Sequence, residues 1–240
     1  MRKATALREA SSITGRATVG FLATALFLNA ALSWGQEKAS QPSRALGEVI
    51  LPPPQTKGGL SLDEALARRR SIRQFTSQPL TLAEIGQLLW AAQGITEPNK
   101  GLRTSPSAGA MFPLEIYLLA PDGIFHYVPK GHRLERLGNE DKRRALAGGP
   151  SGASYLREAA VDIVVTGIVA RTTVKFRADE STRYMQFEAG HVTQNVLLEA
   201  TALGLGAVCV GGMSDAKVRQ IIPLAAGEES LYIIPVGRPR

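Results

Sequence analysis

The stretch that most restricts the fold is residues 180–203. Met185, Ala189, Val192, Val196 and Ala200 recur at helical spacing, and Phe187, Leu197 and Leu198 carry the apolar surface beyond a single stripe. Glu180 to Leu203 therefore reads as one long helix, ended by Gly204-Leu205-Gly206. A helix that is apolar on more than one side needs two packing partners. One is the core of its own domain, and a subunit interface is a candidate for the other. The run Val161 to Val169, VDIVVTGIV, is almost unbroken and rich in β-branched residues, which suits a central strand buried on both faces.

Around these two segments the pattern fills in. Ser61-Leu62-Asp63-Glu64 and Thr81-Leu82-Ala83-Glu84 are both capping boxes, each opening a helix. The second helix would place Leu82, Ile85, Leu88, Leu89 and Ala92 on one face, with Trp90 near its end and Gly94 as the residue that stops it. Leu114 to Leu119 reads as a strand, Pro121-Asp122-Gly123 as a turn and Ile124 to Val128 as the hairpin partner. His132 to Ala147 is polar and helical in its second half. Ala207 to Val210 and Leu231 to Val236 are further strands, with Gly211-Gly212 a tight turn and Ser214 the cap of a short helix from Asp215 to Ile221. Helices and strands alternate irregularly around one hairpin. That predicts an α+β domain, a mixed sheet flanked by helices.

The predicted domain spans residues 61–240. Residues 36–60 hold Pro42, Pro52, Pro53, Pro54, Gly58 and Gly59 without apolar periodicity, and read as a linker or an extended arm lying on another surface. Residues 1–35 read as an export signal: Lys3, Arg8 and Arg16 precede the apolar run Ala17 to Leu32, and Ala31-Leu32-Ser33 offers a small-x-small cleavage site. Export would place the protein in the periplasm or cell envelope. A leader this long also allows an uncleaved membrane anchor, although the run is short for a spanning helix. Cys209 is the only cysteine and sits in an apolar stretch, so it reads as a small buried hydrophobe. Without disulfides the exported chain needs a real core, and 44% apolar composition supplies one. Residues 1–35 contribute +3, from Arg2, Lys3, Arg8 and Arg16 against Glu9, leaving +4 of the formal +7 spread along the remainder. No basic stripe with interleaved aromatics is present, which argues against nucleic acid as a partner.

The chemistry-bearing residues are few. Arg69, Arg70, Ser71 and Arg73 put three guanidiniums and a hydroxyl within five residues where a helix gives way to an extended segment. Guanidinium forks bind phosphate bidentately, so the cluster suits the phosphate of a mononucleotide; equally, arginines at a helix C-terminus complement the macrodipole and stay solvated. Thr104 to Pro113, TSPSAGAMFP, has small residues that let backbone amides approach a flat ligand, with hydroxyls from Ser105 and Ser107, or it is an ordinary turn. His126, His132 and His191 form no metal-ligand spacing with Cys209 or a carboxylate pair, so no metal site is expected. His191, inside the long helix, reads as a packed or hydrogen-bonded histidine. Walker, nucleophile-elbow and Rossmann motifs are absent, and Gly204-Leu205-Gly206 ends a helix where a Rossmann turn would begin one. The remaining pattern suits an enzyme whose reactive group is a bound cofactor.

Four segments in order, RRRSIRQF at 68–75, SPSAGAMFPLEIY at 105–117, EAGHVTQNVLLEATALGLGAV at 188–208 and the terminal PVGRP, resemble the nitroreductase superfamily. Within it they are most similar to the SagB-type branch, which includes azoline oxidases of peptide-modifying gene clusters. The resemblance covers roughly residues 60–240. It implies a nitroreductase-like fold with a mainly antiparallel central sheet, a homodimer built on the long helix, and FMN in two interfacial clefts. It places Arg69, Arg70, Ser71 and Arg73 at the phosphate and ribityl end of FMN. Pro106, Ser107, Ala108 and Gly109 would reach the flavin from the partner subunit, and Gly211 and Gly212 would lie against its ring. Arg238 and Arg240 are candidates for the phosphate. Two-step hydride transfer through flavin N5 is the implied activity, from NAD(P)H or another electron donor, with a small-molecule or peptide substrate. The azoline oxidases resemble one another in a Lys-Tyr pair that supplies a base. Its match here is Lys175-Phe176, which keeps the amine as a catalytic candidate and lacks the phenol. A second expectation follows from that loss: a protein that keeps the fold to bind flavin or another planar ligand without turnover.

Overall fold

A computed structural model describes residues 45–148, 153–212 and 214–240. The expected export signal at 1–35 lies outside the described residues. Among the described residues no helix is long and apolar enough to cross a membrane.

In chain order the elements begin with strand β1 (Glu48–Ile50), helix α1 (Leu62–Arg68) and helix α2 (Leu82–Gln93). A small antiparallel pair, β2 (Ile95–Glu97) and β3 (Leu102–Arg103), precedes a 3-10 turn at Ala108–Ala110. Strands β4 (Leu114–Ala120), β5 (Gly123–Val128) and β6 (Arg133–Gly138) follow, then short helices α3 (Arg143–Leu146) and α4 (Ser154–Glu158). Strand β7 (Val161–Ile168), helix α5 (Ala170–Thr173), the long helix α6 (Ala178–Ala202), strand β8 (Gly206–Ala207), helix α7 (Asp215–Arg219) and strand β9 (Glu228–Gly237) complete the chain. The main sheet has seven strands in the order β1-β6-β5-β4-β7-β9-β8. Its ladders are antiparallel throughout, and a parallel bridge joins Ser71 to Ala207.

Strand β7 explains the arrangement. Flanked by β4 and β9, it has no open edge, and its two faces are both covered. Val161, Ile163 and Val165 meet the side on which Met185, Ala189, Val192, Val196 and Ala200 of α6 and Leu88, Leu89 and Ala92 of α2 are buried. Val164 points the other way, into a cluster with Leu146, Leu156, Val218 and Ile222 from α3, α4 and the α7 region. The period-2 alternation of one strand thus separates two core layers. Both capping boxes form as expected: Ser61 and Thr81 hydroxyls accept from the Glu64 and Glu84 amides, and each carboxylate returns to its cap.

Several local readings differ. Residues 133–138 carry a strand with little apolar content, because β6 lies between β1 and β5 and only Leu134 is fully buried. Arg133 is held by Glu48 and Glu135, and Arg136 by Asp122, so long polar side chains cover that part of the sheet. Part of the expected arm is in the fold: β1 pairs with β6, Leu51 is buried, and Gln55 exchanges two hydrogen bonds with the Gln87 side chain of α2. Gly94 ends α2 in extended rather than left-handed geometry. A Cβ there would sit 2.1 Å from the Trp90 ring, so the glycine makes room for the indole. Cys209 is exposed rather than buried, because β8 ends two residues earlier. His191 is likewise exposed on α6 and is not a packed histidine.

Candidate functional site

The arginine segment is held against the end of the sheet. After α1 stops at Arg68, the chain runs extended, and the Ile72 amide donates to the Ala207 carbonyl at 3.0 Å. Ile72 covers Gly206 so closely that a Cβ at 206 would lie 2.7 Å from its side chain. The C-terminal residues close the other side: Thr76 N–H donates to the Arg238 carbonyl, Arg240 N–H to the Gln74 carbonyl, and Phe75 bridges Pro239. The segment that carries Arg69, Arg70, Ser71 and Arg73 is therefore fixed to β8 at Ser71 and, through Gln74 to Thr76, to the C-terminal residues that carry Arg238 and Arg240.

Their guanidiniums are not equivalent. Arg70 donates to the carbonyls of Ala67 and Arg69, Arg238 is paired with Glu84 at 2.9 Å, and Arg240 donates to the Phe75 carbonyl. Glu84 is itself the carboxylate of the α2 capping box. Its partial burial raises its pKa, but the Thr81 amide, Arg238 and the Thr81 hydroxyl outweigh that and leave it below the usual range. Arg69 and Arg73 have no ion pair among the described residues, which leaves two forks for an anion. The Gly211 and Gly212 N–H groups donate to no backbone carbonyl among the described residues, and around Gly212 the space for a side chain is open. Tyr232 lies against Gly211.

The second group surrounds the small-residue loop. Ser105 is buried; its hydroxyl donates to the Ala92 carbonyl of α2 and accepts from the Asn195 amide of α6 at 2.9 Å. It anchors the loop, whereas Pro106, Ala108 and Gly109 are at least partly accessible. Ser107 Oγ accepts from Phe112 N–H, and Glu188 Oε1 accepts from Ala108 N–H, both at 2.8 Å. Ala110 (φ 57°) and Phe112 (φ 46°) are left-handed without being glycine, a strain of about 1 kcal/mol or more each. Arg103 lies over the Phe112 ring at 4.4 Å, and Arg171 donates to the Phe112 carbonyl. Arg171 also pairs with Glu115, which accepts from His126 at 2.7 Å.

Lys175 belongs to this group. Its side chain is exposed and crosses Gly109, where an added Cβ would be 2.9 Å from Nζ. Phe176 turns away and meets Tyr184 of α6 edge-on, with ring centroids 5.0 Å apart. Among the described residues no hydrogen bond or ion pair links the loop group to the arginine group.

Glu188 was not foreseen, nor was Asn195. Glu188 is 3% exposed, its Oε2 has no hydrogen-bond partner among the described residues, and burial raises its pKa against the Ala108 N–H and the Ser107 hydroxyl. Polar residues seven positions apart inside an apolar helical stripe were the available signal. Arg103 was missed too; burial lowers its pKa, although Glu115 opposes this. No cluster of metal-binding residues occurs among the described residues.

The residues present fit a phosphorylated planar cofactor. Two guanidiniums without an ion pair and two glycine N–H groups without a backbone acceptor among the described residues, and a glycine held at φ 60°, are the features such a ligand uses.

Comparison with known proteins adds to this geometry. Residues 66–238 match the Nitroreductase family. The nitroreductase-family protein MJ1384 of Methanocaldococcus jannaschii is 38% identical over 185 residues, covering 75% of this chain and 91% of its own. The microcin B17-processing protein McbC of Escherichia coli is 27% identical over 158 residues, 60% of this chain, which spans 57% of McbC. A crystal structure of a nitroreductase from Ralstonia eutropha superposes with a TM-score of 0.74 at 28% identity, covering 83% of this chain and 95% of that one.

Proposed function

The chain belongs to the nitroreductase family of oxidoreductases, and from that premise we propose that it is an FMN-dependent dehydrogenase of the SagB-type branch. The observation that carries this reading is the arginine segment at the sheet end. There Arg69 and Arg73 make no ion pair among the described residues and flank Ser71, and Gly211 and Gly212, whose N–H groups donate to no backbone carbonyl among the described residues, follow β8; together they would form a cradle. In that cradle Arg69, Arg73 and the Ser71 hydroxyl would bind the FMN phosphate, with Arg70 and Arg240 adding positive charge. Arg238 would act through Glu84, holding the C-terminal segment in place. When bound, FMN supplies the hydride acceptor and donor at N5; the protein binds and orients it and excludes water.

The reading includes a homodimer in which Pro106 to Gly109 would complete the cradle of the second copy, in keeping with the lack of a hydrogen bond between the two groups among the described residues. Phe187 on α6 is 56% exposed and Leu62 on α1 is 66% exposed, and a partner subunit would cover them. Lys175, crossing Gly109, is then a side-chain amine beside the flavin loop and the proposed proton-transfer group. The substrate is a small molecule or a peptide, the latter because McbC is named for processing one. Reduced nicotinamide or another donor supplies the electrons. We further propose export by way of residues 1–35, which cell fractionation with an antibody tests.

The functional test is to purify the full chain and record its visible spectrum and its size in solution. The expected result is a yellow dimer that releases FMN on denaturation and is bleached by an electron donor under anaerobic conditions. A colourless protein that stays colourless with added FMN overturns the proposal. A protein that holds flavin and exchanges electrons with no donor or acceptor supports the binding-only reading suggested by Phe176.

A further inference from the structure

The Pro106 to Gly109 loop is built in a way that its own sequence does not explain. Its backbone carries left-handed residues at Gly109, Ala110 and Phe112, and the last two have side chains. Such a loop relaxes unless its surroundings determine it. Ser105 fixes its entrance to α2 and α6, and Arg103 and Arg171 fix its exit at Phe112. Between these ends, among the described residues, the one side chain that holds the backbone from outside the loop is Glu188, through Ala108 N–H at 2.8 Å. Its Oε2 is buried with no partner among the described residues. A carboxylate in that position is costly, and the cost falls if the group is a neutral acid.

We infer that Glu188 is a positioning residue for the flavin site. Its Oε1 accepts the Ala108 N–H and so presents Pro106 to Gly109 in one conformation to the cofactor of the partner subunit. This role rests on the FMN reading above. Glu188 has no direct contact with the ligand; it acts through the loop. The groups that face it are Ser107 and Ala108 on the loop, Arg103 on β3 and His191 on its own helix. The role needs an acceptor oxygen at the end of a side chain of this length, and it does not need a negative charge. Gln is therefore expected to substitute for Glu, and Asp, one methylene shorter, is not.

The experiment uses the full chain as wild type and as Glu188→Gln, Glu188→Asp and Glu188→Ala. FMN affinity is measured by quenching of flavin fluorescence, and the environment of the bound flavin by its visible circular dichroism at saturation. Loss of a buried hydrogen bond predicts binding weakened about tenfold in Glu188→Ala and Glu188→Asp, with an altered visible dichroism even when saturated. Glu188→Gln is expected within about twofold of wild type, with the same spectrum. A merely structural glutamate would lower thermal stability and leave the saturated flavin signal unchanged. The inference is overturned if Glu188→Ala matches wild type in affinity and spectrum, or if Glu188→Gln is as impaired as Glu188→Asp. Should Glu188→Ala fail to fold, the Gln and Asp pair decides. A wild-type chain that takes up no flavin overturns the functional reading itself, an outcome seen before any variant is made.

Discussion

Asp162 shows how much one residue can matter on a fully buried strand. Both its carboxylate oxygens are buried without a partner among the described residues. Burial drives its pKa well above 3.8, against the pull of the Arg143 guanidinium, and Asp141 adds to the rise. A group whose folded pKa is raised contributes stability that is complete below its unfolded value and is lost as pH rises through the folded one. The protein should therefore lose stability from about pH 4 upward on this account, and Asp162→Asn should flatten that slope. Denaturant melts of both proteins at mildly acidic and mildly alkaline pH measure it; parallel slopes would refute the assignment. Gly94 offers a second test. An alanine there meets the Trp90 ring at 2.1 Å, and the overpacking should cost about 2 kcal/mol in the same assay.

At the scale of elements, α6 carries the most. Met185, Val192, Val196 and Ala200 are buried to within 0% exposure along one face, while Glu188 and Asn195 reach the loop from an adjacent line. Val196→Ala removes two methyl groups from a site with no room to relax, and should lower stability by about 2 kcal/mol without changing flavin affinity, as thermal melts and flavin titration would show. Periodicity made this helix, α2, β4, β5 and β7 legible in the sequence, because each has an apolar face with one period. Strand β6 was not legible: its outward residues are Arg and Glu that pair with one another, so the alternation that identifies a strand is hidden. The Arg69 to Arg73 run was visible because its members lie within five residues, and the change from helix to extended chain expected there is present. Glu188 could not be assigned, because the amide it holds is 80 positions away. Such a contact exists only after the loop and the helix have folded together.

For the whole molecule, the decisive matter is that no hydrogen bond or ion pair among the described residues joins the arginine group to the small-residue loop. If a second copy completes each site, breaking the dimer must also empty it. Phe187→Glu places a charge on the exposed side of α6, away from the buried stripe, and should yield a folded monomer that has lost its flavin. Light scattering coupled to size exclusion, with absorbance on the same peak, reads both together. A monomer that remains yellow would show that one chain suffices for binding.

Strand β1 carries a consequence for how far the folded domain extends beyond the family match. The family match opens at residue 66, yet Glu48 to Ile50 already form the last rung of the sheet, and Leu51 is sealed in the core. Trimming the chain to its recognisable part would strip the cover from β6 and leave a row of unsatisfied amides and carbonyls at the margin, a template for other strands. The segment around β1 thus works as a selvedge: it binds off the weave, and without it the fabric is open to its neighbours.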